Sequence, residues 1–163
     1  MQNGTPESQR DLPQITLAES KTFLREVTED LFSRMPEDQI LEDTRRPDEK
    51  NTLLGCSDDM EDPFKDGVFL TYGGTVYFSG DADLRPMMDQ IYEDYSSKAG
   101  WQTSWSSPSH ELAIKILSPN NYQFYIDVSK TSASNSELML LITSFGPCIP
   151  TPPGYNAATD FEY

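Results

Sequence analysis

The stretch Leu112-Ala113-Ile114-Lys115-Ile116-Leu117-Ser118-Pro119-Asn120-Asn121-Tyr122-Gln123-Phe124-Tyr125-Ile126-Asp127-Val128 decides the fold. Leu112, Ile114 and Ile116 alternate with Ala113 and Lys115. Tyr122, Phe124, Ile126 and Val128 alternate with Gln123, Tyr125 and Asp127. Successive side chains of a strand point to opposite faces, so a period of two predicts two strands with one buried face each. Ser118-Pro119-Asn120-Asn121 between them has turn composition, and the whole reads as a hairpin. Downstream, Leu138–Phe145 is apolar on both faces, which places it inside a sheet. Upstream, Trp101–Trp105 opens a further short strand.

Earlier still, Val68–Tyr72 and Thr75–Phe78 are rich in β-formers. Gly73-Gly74 between them fits either a hairpin turn or a bulge within one long strand, and the single bent strand is preferred. Two helices flank this strand. Thr16 and Glu19 form a capping-box pattern, and Leu24, Val27, Leu31 and Met35 follow at helical spacing, predicting a helix over 16–35 that Pro36 ends. Asp83 is expected to cap the second helix. Its apolar face is Leu84, Met87, Met88, Ile91 and Tyr95, Pro86 sits in the first turn, and Gly100 stops it.

Residues 36–66 carry little pattern. Gln39–Asp43 reads as a short strand or a turn, Arg45–Asn51 as a charged loop, and Leu53-Leu54 as an anchor for that loop. The order predicts an α+β domain: one twisted, mainly antiparallel sheet of four to five strands with two helices packed on one face. The other face is expected to carry Tyr125, Lys115 and Gln123, with Trp101 or Trp105. Residues 1–13 read as a disordered tether, 14–150 as a single domain, and 151–163 as a flexible tail.

The two cysteines, Cys56 and Cys148, lie on either side of the main folded segment, in the turn-like contexts Gly55-Cys56-Ser57 and Gly146-Pro147-Cys148-Ile149-Pro150. Buried structural thiols more often sit inside apolar runs, so a disulfide is favoured over two independent thiols. Closing so long a loop stabilises by about 4–5 kcal/mol in the chain-entropy description.

Twenty-seven acidic residues against twelve basic ones leave a net charge of −15. Such a chain repels phosphate backbones and anionic membrane surfaces, so no nucleic-acid partner is predicted. A basic protein or a cation is favoured instead. The opening Met1-Gln2-Asn3-Gly4-Thr5-Pro6-Glu7 has no apolar core of a leader, so the protein is either cytoplasmic or begins after a removed leader. Leu53-Leu54-Gly55-Cys56 matches a lipobox only superficially, because no apolar region precedes it.

Catalytic chemistry finds no footing. His110, the one histidine, stands beside Ser107 and Ser109 in a turn, and adjacency in sequence does not build a triad. One histidine and two distant cysteines do not make a zinc site. Asp58, Asp59, Glu61 and Asp62 supply carboxylates without the EF-hand spacing or its glycine. Gly73-Gly74 lacks the lysine and hydroxyl of a phosphate loop. No metal, cofactor or catalytic residue is predicted.

A helix ending at Met35-Pro36, a loop carrying Cys56, the passage Phe78-Ser79-Gly80-Asp81-Ala82-Asp83-Leu84, a helix to Gly100 and a meander ending near Cys148 follow one another in this order. That order resembles the LppA-like family of actinobacterial lipoproteins over residues 16–150. The resemblance implies a lipidated leader, a domain on the outer face of the cell membrane, and no catalytic activity. The expected function is a non-enzymatic, monomeric envelope domain that binds a protein or small molecule, touching membrane only through a lipid anchor. Trp101, Trp105 and Tyr125 are the expected binding surface, since exposed aromatics make good anchors. The alternative is an acidic inhibitor or immunity-type protein that neutralises a basic enzyme.

Overall fold

The computed structural model describes residues 12–45, 52–106, 112–130 and 137–151. The two helices are α1, Leu17–Ser33, and α2, Arg85–Ser96. Thr16 caps α1: its hydroxyl oxygen accepts the Glu19 N–H at 3.1 Å, and its hydroxyl donates to Glu19 Oε1 at 3.1 Å. The reciprocal half of a capping box is therefore closed on the hydroxyl of Thr16, not on its backbone. In α2, Leu84 occupies the cap position and Pro86 falls in the first turn. Asp83 acts from one residue earlier by accepting the Arg85 N–H at 3.2 Å, so it supports the helix start without being its cap.

The sheet has seven antiparallel strands, not four to five. They are β1 Ile40–Asp43, β2 Thr52–Gly55, β3 Val68–Phe78, β4 Gln102–Trp105, β5 Leu112–Leu117, β6 Gln123–Lys130 and β7 Leu138–Phe145. The additional pair, β1 and β2, comes from the segment with least pattern. Each is four residues long, and they pair with opposite ends of the same edge of β3. Strands that short at an edge carry too few alternating positions to be told from loop.

The chain order does not match the spatial order, which runs β1-β3-β7-β6-β5-β4 with β2 also on β3. α2 carries the chain from β3 to the far edge at β4. A meander then walks back through β5 and β6 and places β7 beside β3. β3 is one strand through both glycines, paired with β7 without a register break from Thr71–Phe145 to Phe78–Leu138. Glycine is required at Gly73, where a Cβ would lie 2.1 Å from the Ile142 carbonyl oxygen, whereas a Cβ on Gly74 would crowd only the Arg45 side chain, at 2.7 Å.

Even-numbered positions of β3, β5, β6 and β7 face the helices. Leu70, Val76, Phe78, Ile114, Ile116, Phe124, Ile126, Leu140 and Ile142 are buried there against Leu24, Leu31 and Phe32 of α1 and Met88 and Ile91 of α2. α1 lies on β3 and β7, and α2 on β4 and β5. The hydroxyls of Thr28 and Ser144 meet at 2.7 Å within this layer and satisfy each other. At the seam between the helices, the Asp30 carboxylate accepts from the Tyr95 hydroxyl at 2.6 Å and from Arg34 Nε at 3.1 Å, while Arg34 also reaches Asp94. Burial, with the Asp30 carboxylate adding, pushes the Tyr95 phenol well above its ordinary range.

Candidate functional site

Odd-numbered positions of the same strands point away from the helices, and no second layer among the described residues covers them. Phe69, Tyr77, Leu141, Phe145 and Tyr125 are half-buried on this face, and Leu54 of β2 is 41% exposed beside Phe69. Pairing places Lys115, Tyr125 and Thr143 in one row and Leu117, Gln123 and Phe145 in the next. The rings of Tyr125 and Phe145 meet edge-on, with centroids 6.0 Å apart and planes at 79°. Lys115 Nζ stands 5.6 Å from the Tyr125 centroid, and the Tyr125 hydroxyl donates to Gln123 Oε1 at 2.8 Å.

A groove of about 790 Å³ opens at this end of the face. Its walls are the rings of Phe69, Tyr125 and Phe145, the side-chain amides of Asn121 and Gln123, and the Cys56–Cys148 disulfide. Leu12 and Pro13 close one side, so the last two residues of the expected tether lie against the domain. The disulfide joins the end of β2 to the chain leaving β7, across a sequence separation of 92 residues and a Cα–Cα distance of 6.1 Å. Backbone hydrogen bonds brace it: Val68 and Ile149 exchange bonds of 2.9 and 2.8 Å, and the Cys56 N–H donates to the Gly67 carbonyl at 3.0 Å. Gly67 has a φ of 104°, and a Cβ there would meet Cys148 Sγ at 2.9 Å, so glycine is what lets the start of β3 approach the bridge.

The expected aromatic surface does not come together. Trp101 packs on the helix side, its ring 6.0 Å from Phe23, 5.2 Å from Tyr95 and 6.3 Å from Phe124. Trp105 pairs with Ile114, a helix-facing position, and stacks on Tyr92 of α2 at 5.3 Å with Arg85 over it. Tyr125 alone of the three faces the bare side. β4 has no side legible in its sequence, because Gln102, Thr103 and Ser104 lack apolar alternation. Its parity comes only from its register with β5. Phe69 and Phe145 were legible as members of strands, and their place beside Tyr125 followed only once β7 was known to lie between β3 and β6.

The residues lining the groove carry no carboxylate, imidazole or amine. Its chemistry is apolar and aromatic contact with a few amide donors and acceptors, the usual make-up of a binding cleft. Among the described residues no group of three or more His, Cys, Asp or Glu is placed to hold a metal ion. In the acidic loop after β2, the Asp59 carboxylate accepts from the Glu61 N–H and from Lys65 Nζ, each at 3.0 Å. His110, Ser107 and Ser109 lie outside the described residues. Among the described residues no helix is long and apolar enough to cross a membrane. No family model, curated protein or solved structure matches the chain.

Proposed function

We propose that this chain is a non-enzymatic, extracytoplasmic binding module, carried on the cell envelope as the LppA-like lipoproteins are, and that the groove on the bare sheet face holds a small, uncharged organic ligand. The observation that carries the reading is the groove itself. A shallow, open groove of about 790 Å³ is walled by Phe69, Tyr125 and Phe145 on a sheet face that the helices leave open. That volume falls within the roughly 300–1,000 Å³ typical of small-molecule sites. The absence of ionisable side chains other than the Tyr125 phenol among the lining residues favours an uncharged occupant. The disulfide supports the compartment, because such bridges persist in oxidising surroundings.

Nuclear magnetic resonance screening of uncharged organic compounds and short glycans tests the site. Ligands of the groove should move the amide signals of Gln123, Tyr125 and Phe145 together, and Tyr125→Ala should weaken them about tenfold, as loss of a central aromatic anchor does. Hits that leave those signals still, or that bind Tyr125→Ala equally well, would count against the groove. Salt-dependent binding of a basic protein in place of any small molecule would favour the inhibitor reading. The compartment is tested separately by alkylating protein in its source cells, where Cys56 and Cys148 should resist modification until reduced.

A further inference from the structure

A second cavity lies on the other side of the Pro119–Asn121 turn. Asn120 and Asn121 both adopt left-handed φ values, 67° and 66°, and the turn they make separates the two hollows, with Asn121 lining the groove and Asn120 lining the pocket. The pocket holds about 240 Å³. That is below the range of drug-sized sites and suits a compact headgroup. Its walls are the rings of Phe23, Trp101 and Tyr122 together with Ile15, Pro119 and the carboxylate-bearing Glu19.

We infer that this pocket binds an alkylammonium headgroup, with the three rings as its walls and Glu19 as its counter-charge. The rings are packed as a unit, with Phe23 centroids 4.3 Å from Tyr122 and 6.0 Å from Trp101. Aromatic faces attract a cation through their quadrupole, most strongly for tryptophan, and quaternary ammonium groups are the usual beneficiaries. Glu19 is the one ionisable carboxylate among the lining residues. Among the described residues Glu19 takes part in no ion pair of the kind that joins Arg34 to Asp94 or Arg85 to Asp89, and only its Oε1 is engaged, by the Thr16 hydroxyl. Burial raises the Tyr122 phenol above its ordinary range; Ser20 opposes the rise, and the Glu19 charge adds to it. A net charge of −15 raises the local concentration of cations and disfavours an anionic occupant. The site is independent of the groove, and either can fail without the other.

The test is a titration of the native, oxidised protein with choline chloride at constant ionic strength, read by nuclear magnetic resonance. Trp105→Phe identifies which indole signal belongs to Trp101. Saturable shifts at Trp101 and Tyr122 are expected, with a dissociation constant in the roughly millimolar range. Dimethylbutanol, the uncharged isostere of choline, should bind at least about fivefold more weakly, and Glu19→Gln should weaken choline by a similar factor. Glutamine still serves a capping box, so this variant removes the charge and leaves the helix start intact. A trimethyl-lysine amide run in parallel separates a headgroup on a small molecule from one on a protein, and binding of either at these residues supports the site. Three results would overturn the inference: no saturable shift with either cation, equal binding of the uncharged isostere, or no weakening in Glu19→Gln.

Discussion

The two faces of one sheet differ in what their side chains are asked to do. On the helix side, Phe124, Ile126, Leu140 and Ile142 are 0–1% exposed and interlock with both helices. One residue away along the same strands, Tyr125, Leu141 and Phe145 stay half-open to water. Composition separates the faces only in part: Lys115, Gln123, Asp127 and Thr143 mark the outer one, yet it carries large apolar groups as well. Coverage separates them fully. Among the described residues two helices are long enough to shield a sheet, and both lie on the same side. A bare face kept rich in aromatics exposes surface that a purely structural face would replace with polar residues, and this makes it the place to look for a ligand.

The sharpest way to break the comparison is to truncate one residue on each side of β6 and β7. Phe124→Ala should lose about 3–5 kcal/mol in urea unfolding, and Leu141→Ala roughly half of that or less. Equal losses would mean that the bare face is covered in solution. The disulfide comes next. Cys56→Ser with Cys148→Ser should lower stability by about 2–5 kcal/mol, and it should disturb the groove signals of Tyr125 and Phe145 more than those of the helix-side core. A uniform disturbance would assign the bridge to the whole fold and remove its special tie to the groove.

Thr28 and Ser144 sharpen the helix side. Thr28→Val strands a buried hydroxyl on Ser144 and should be destabilising by about 1–3 kcal/mol, while Thr28→Val with Ser144→Ala should recover part of that loss. No recovery would mean the hydroxyls act separately.

The smallest effect is in acid. The Arg45 hydrogen bond holds the Asp43 carboxyl below the usual range, and that of Arg34 does the same for Asp94. A carboxyl depressed in the folded state contributes stability that is present above its unfolded value of about 3.9 and is lost as pH falls through its folded value. Unfolding midpoints should therefore be flat above about pH 5 and fall below about pH 4. Arg34→Gln or Arg45→Gln should make that fall shallower, and an unchanged slope would show these pairs to be idle.

Much of this was legible because period is a local property. The alternation at 112–128 assigns the helix-side residues of β5 and β6 without reference to anything else, and the stripe from Leu24 to Leu31 assigns the buried side of α1 in the same way. β1 was legible only as a choice between strand and turn at Gln39–Asp43, and β2 not at all, because four residues at an edge take their conformation from the strand they pair with. The tryptophans were misplaced for a related reason: β4 has no apolar rhythm of its own, and a shift of one residue in its pairing with β5 would have put Trp105 on the other face.

The sequence by itself therefore determined the class of fold, the two helices and the hairpin, all of which rest on spacing within a short window, and it favoured the pairing of the cysteines, there being only two thiols to join. Only the tertiary structure decided that β7 lies between β3 and β6, that β1 and β2 both extend the sheet along one edge of β3, and that Phe69, Tyr125, Phe145 and the disulfide meet around one groove. Those are matters of which distant segments become neighbours, and a strand's hydrogen bonds are satisfied equally well by any partner that offers the right edge.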